Sequence, residues 1–136
     1  MLAEARNAAL IPAWLQHIDS QSARAAFCYL VGLAAASADF SCYAQQKGAV
    51  RDFRFYLTNT HEMPYAFIPA KQWLLFYFRL PAVRSRHFDP QVLQSKFADA
   101  APNSTGEWTI RLRTISDVER VWEYIVNAGT SANERN

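Results

Sequence analysis

Two cysteines in 136 residues, Cys28 and Cys42, with no CxxC spacing and no histidine beside them, exclude a disulfide framework and a structural zinc site. Both stand among apolar neighbours and are expected to be buried free thiols. The three histidines form no HExxH, and no GxSxG, glycine-rich phosphate loop or nucleophile-spaced Cys/His pair is present. No catalytic set, metal site or cofactor is therefore expected. The longest uncharged apolar run, 25–38, is shorter than the roughly 20 residues that cross a bilayer. The opening MLAEARNAAL lacks a basic stretch followed by an apolar one, so a cytoplasmic location without a membrane partner is expected. A net charge of +2 is too small to hold a polyanion by bulk field, and it excludes a strongly acidic DNA mimic.

What is present is apolar and aromatic. Half the residues are hydrophobic and 14% are aromatic, enough for burial to meet the entropy of ordering a chain of ordinary domain length. No repeat, low-complexity tract or linker divides the sequence, which predicts one domain over 1–128 followed by a disordered tail, 129–136.

Periodicity predicts a short helix over Pro12–Ile18 with His17 near its C-terminal end, where a cation would suit the helix dipole. Ser20 is expected to cap a second helix, 21–37, lying deep against the sheet. From Phe40 the period changes to two, predicting strands over Phe40–Gln45 and Asp52–Leu57 joined by a turn near Lys47-Gly48, and a third over Tyr65–Ile68. The segment 73–79 is apolar at nearly every position and suits a central strand covered on both faces. Asp89-Pro90 marks a helix start, with Val92, Leu93 and Phe97 on its buried side. Gly106 opens a strand in which Trp108, Ile110 and Leu112 alternate with Glu107, Thr109, Arg111 and Arg113. The pattern Ser116-Asp-Val-Glu119 predicts a capping box for a last helix with Val118, Val121, Trp122 and Ile125 on its core face and a stop at Gly129. Trp108 and Trp122 are expected in the core. The fold class that follows is α+β: about five mainly antiparallel strands with about four helices, in the order ααββββαβα.

In the second half, Leu74–Arg79, Phe88-Asp89, Gly106–Arg113 and Ser116–Ile125 resemble the end of a small uncharacterised α+β domain of bacterial and archaeal genomes, sometimes found beside restriction-endonuclease-like regions. The resemblance covers about half the chain and implies an architecture, with no catalytic residues to carry over.

Strand alternation singles out the candidate site. If Phe53, Phe55 and Leu57 point inward, Arg54 and Tyr56 point outward, and the same parity turns Arg111 and Arg113 away from the core, with Tyr77 and Arg79 on that outer face. Guanidinium groups bind phosphate or carboxylate and tyrosine rings stack on bases, so these six residues could hold a nucleotide, a nucleic acid or an anionic small molecule. An ordinary solvated face, or one covered by a helix with the arginines reaching past its rim, is the competing view. His61-Glu62 and His87 are the acid-base candidates, and the basic loop 84–87 is a further anion candidate, although Asp89 occupies the adjoining helix cap.

Function at this level is a binding module, expected to form a homodimer because the aromatic load exceeds what one small core hides. A small hydrolase or nuclease-associated domain using His61 and Glu62 is one alternative; a small-ligand cleft between helices and sheet is the other.

Overall fold

A computed structural model of the chain describes residues 1–3 and 7–134, with side chains to residue 127. Two helices, α1 (Leu10–His17) and α2 (Gln21–Ala36), lead into β1 (Phe40–Lys47), β2 (Val50–Leu57), β3 (Tyr65–Pro69) and β4 (Leu74–Phe78). Then come α3 (Leu80–Val83), α4 (Pro90–Lys96), β5 (Ala101–Pro102), β6 (Trp108–Leu112) and α5 (Ile115–Glu134). The fold is α+β, as the periodicity predicts. The one-turn α3 and two-residue β5 are additions, each too short to leave a periodic signal.

The six strands form one sheet in the order β1-β2-β3-β4-β6-β5, with every neighbouring pair antiparallel. The first four make a meander because their connections are too short for anything else. Gly48, at φ +59, begins the two-residue turn between β1 and β2, a backbone region that glycine enters without steric cost. β6, the second strand after α4, joins β4, which puts β4 inside the sheet and leaves β5 at its edge.

One face of the sheet is the core. Phe53, Phe55, Phe67, Leu74, Phe76, Phe78, Ile110 and Leu112 are buried there under α2 and α5, which also pack on each other. Aromatic contacts knit the layer together: Phe53 stacks on Phe67 with centroids 5.0 Å apart, and Phe27 of α2 meets Phe67 edge-on at 6.0 Å. Every buried helical side chain belongs to this cluster. Ala66, buried on the opposite face, does not.

That division corrects several expectations. β4 is covered on one face only, since Leu74, Phe76 and Phe78 are buried while Leu75 and Tyr77 are half-buried. Likewise α2 buries one side and exposes the other, including Cys28, which is therefore not a buried thiol; Cys42 is. Val92 is exposed, leaving Leu93 and Phe97 as the buried side of α4. Trp108 and Trp122 are half-buried at the rim, against Phe88 and Phe40.

The helix ends follow local hydrogen bonding. Ser20 caps α2, its hydroxyl accepting from the Ala23 amide, and Asp89 caps α4, accepting from the amides of Gln91 and Val92. The capping box of α5 lies two residues before the expected one. The Thr114 hydroxyl accepts from the Asp117 amide, and the Asp117 carboxylate accepts from the amides of Thr114 and Arg113. Nor does α5 stop at Gly129: its backbone continues to Glu134, because an interior glycine costs a helix only about 1 kcal/mol and no proline follows. Of the expected tail, 135–136 lie outside the described residues. At the end of α1, burial and the nearby Arg51 and Lys71 lower the pKa of His17, so the expected dipole-favoured cation is opposed there.

Among the described residues, no helix is long and apolar enough to cross a membrane.

Candidate ligand-binding site

Among the described residues no helix packs on the second face of the sheet, and strand alternation decides what it displays. Across one row, Tyr43 pairs with Arg54, Arg54 with Ala66, Ala66 with Tyr77, and Tyr77 with Thr109. β3 turns only Ala66 and Ile68 outward, between the longer side chains of β2 and β4. A lane of short residues between tall neighbours is a trough. Its volume is about 330 Å³, with Ala66, Ile68 and Tyr77 along it, Asp52 and Arg54 on one wall, and Arg79 and Glu107 toward the other.

Each arginine of the trough is held by one carboxylate through its Nε. Arg54 donates to Asp52 at 2.5 Å and Arg79 to Glu107 at 2.7 Å, and both carboxylates are largely shielded from solvent. Partial burial works against the Arg54 cation, but Asp52 and the neighbouring Tyr56 and Tyr43 phenols outweigh it and raise the pKa above its ordinary value. Arg54 is thus a fixed charge at any accessible pH. The Tyr43 hydroxyl donates to that of Tyr56 at 3.2 Å, with the two rings stacked at 5.5 Å. Accepting that bond, with Arg54 close by, lowers the Tyr56 pKa despite partial burial, whereas burial first and the donated bond second raise that of Tyr43. Tyr77 is raised by burial and then by Glu107.

Arg111 and Arg113 share the face but form a separate corner. Both guanidinium groups lie over Trp73, at 4.9 and 5.4 Å from the ring, and Arg113 also reaches Asp99 at 3.3 Å. Of the six residues proposed from sequence, Arg54, Tyr77 and Arg79 line the trough, Tyr56 stands beside Arg54, and Arg111 and Arg113 do not line it. Trp73, Tyr43, Asp52 and Glu107 were not singled out. Their outward parity was available: Tyr43 and Trp73 follow by counting in twos from Ser41 and Leu75, and Asp52 stands two residues from Arg54.

The acid-base candidates do not assemble. His61, at φ +62, and Glu62 are both exposed in the β2–β3 loop, and His87 lies in the α3–α4 connection. No hydrogen bond or ion pair joins the three among the described residues. His61 does line a second depression of about 500 Å³ with Ser41, Tyr43, Tyr56 and Thr58. No group of His, Cys, Asp and Glu among the described residues is arranged to hold a metal ion.

No family model, no curated protein and no solved structure matches the chain.

Proposed function

We propose that this chain is a binding module that works through the outer face of its sheet. The observation that carries the reading is the trough over β3: an uncovered lane of small side chains with two arginines already fixed by carboxylates beside it. Prebonded arginines lose little side-chain entropy when a ligand arrives, so the face is preorganised for recognition. An acid-base site has less support, since among the described residues no hydrogen bond joins the His61 and Glu62 side chains to each other or to the hydroxyls of Ser41, Thr58 and Thr60 nearby. A cleft between helices and sheet has less still, because phenylalanine rings fill that layer.

A nucleic-acid ligand is the second reading, favoured by the Trp73 corner, where an indole and two guanidinium groups offer stacking and phosphate contacts. The resemblance of the second half to a domain found beside restriction-endonuclease-like regions points the same way. The homodimer keeps a weaker motive than composition suggests, since every phenylalanine except Phe88 is buried in the protomer's own core. Light scattering at micromolar concentration decides it.

The test is an amide NMR titration of the labelled protein with a decathymidylate and with a set of small organic acids, amines and neutral compounds. The reading expects shifts along residues 52–56, 66–68, 75–79 and 109–113. It is abandoned if every probe leaves those residues unmoved or shifts only the helices.

A further inference from the structure

The charge and dimensions of the trough narrow its ligand, granted the reading that the outer face binds. Lys47, Arg54 and Arg79 line it against Asp52 and Glu107, three cations to two carboxylates, so the trough is one positive charge from neutrality. A polyanion would meet two fixed carboxylates there, whereas a single negative charge would balance the site. A guanidinium carries five N–H donors, and in each arginine the carboxylate contact occupies the one at Nε. The terminal nitrogens remain: among the described residues those of Arg54 have only the Tyr56 and Tyr43 phenols beside them, and Arg79 Nη1 reaches the Met63 sulfur, a weak acceptor, at 3.7 Å.

The body of the ligand is set by the rest of the lining. Ala66, Ile68 and Val50 offer no hydrogen bond, and Tyr77 adds a ring face. β2 and β4 flank β3 and are therefore roughly 10 Å apart, which leaves room above Ala66 for one flat ring. A volume of about 330 Å³ sits at the small end of the range of ligand pockets, which runs from roughly 300 to 1,000 Å³.

We infer that the trough over β3 binds a small monoanion with a flat apolar body, of which an aromatic carboxylate is the simplest member. The anion lies between the terminal nitrogens of Arg54 and Arg79, and the ring lies over Ala66 and Ile68. Asp52 and Glu107 act as positioning residues that aim the guanidinium groups and cancel the surplus charge that would admit polyanions.

Benzoate against benzamide is the direct comparison, because the two share a shape and differ in charge. Titrations followed by amide NMR should show benzoate shifting Ala66, Ile68 and Tyr77 and binding about tenfold or more tighter than benzamide, the increment expected of one charge-assisted hydrogen bond. Arg54→Gln should weaken benzoate by a similar factor. Asp52→Asn, which keeps an oxygen to accept from Arg54 Nε and so leaves the guanidinium aimed while removing the competing charge, should tighten it, so the inference stays testable if the arginine variant misfolds. Equal binding of benzoate and benzamide, weakening by Asp52→Asn, or decathymidylate seated in the trough would overturn it. Decathymidylate confined to the Trp73 corner, with benzoate inactive, would sink the monoanion and leave the binding module standing. Silence from every probe on this face would remove both.

Discussion

Cys42 and Cys28 show how far apart two thiols of one chain can be. Cys42 faces the core from β1, and burial pushes its pKa from 9.0 to about 12, with the N-terminal charge opposing weakly. Cys28 is exposed on α2. A thiol reagent at neutral pH should modify Cys28 in the native protein and reach Cys42 only on unfolding. Prompt labelling of both would show that the β1 face opens. The same burial links stability to alkaline pH. The native Cys42 thiol keeps its proton between pH 9.0 and about 12 while the unfolded chain loses it, so stability is full below that window and falls through it. Cys42→Ala should flatten the fall that begins near pH 9, leaving the later one from Tyr65, whose pKa burial raises above its usual 10.0. Urea unfolding at stepped pH values measures both. Sequence identified the two residues as thiols among apolar neighbours. It could not separate them, because in an alanine-rich helix both faces look apolar and only the partner surface decides which is inside.

At the scale of elements, the start of α5 is a clear test of local chemistry. Two capping patterns overlap in the sequence, Thr114-x-x-Asp117 and Ser116-x-x-Glu119. The first is used, with the Asp117 amide donating to the Thr114 hydroxyl and the Thr114 amide donating to the Asp117 carboxylate. Asp117→Ala should cost about 1 kcal/mol in urea unfolding, whereas Glu119→Ala, on the exposed side, should stay within about 0.5 kcal/mol of the parent. The reverse ranking would move the helix start. Strand and helix types, the meander and the Ser20 and Asp89 caps were legible because each depends on residues close in sequence. Where β6 joins the sheet was not, since a strand returning after a helix can meet either edge, and the choice rests on packing between distant segments. Similarly, β4 reads as doubly covered from its apolar run, yet its outward Leu75 and Tyr77 are only half-buried and Tyr77 lines the trough rather than a second core.

On the scale of the whole molecule, the two faces of the sheet divide the work. The inner face carries stability through a continuous aromatic layer, and Phe67→Ala at its centre should cost about 3 to 5 kcal/mol. The outer face is stabilised by ion pairs and by arginines on Trp73, so Arg111→Ala should cost about 1 kcal/mol or less while altering any ligand held at that corner. Alternation along β2, β4 and β6 made this face visible from sequence, down to Arg54 and Tyr77. Its compensation was hidden, because Asp52 and Glu107 look like solvated charges until Arg54 and Arg79 are seen to bond them. That pairing turns an expected basic surface into a nearly neutral trough, and among the nucleotide, nucleic-acid and small-anion ligands that the sequence leaves open it favours a small monoanion.

Crystals soaked with a library of small fragments would test the outer face most directly. The account predicts fragments gathered over Ala66 and Ile68 with acids contacting Arg54 or Arg79. Fragments gathered instead among the helices or around His61, with the β3 lane left to solvent, would contradict it.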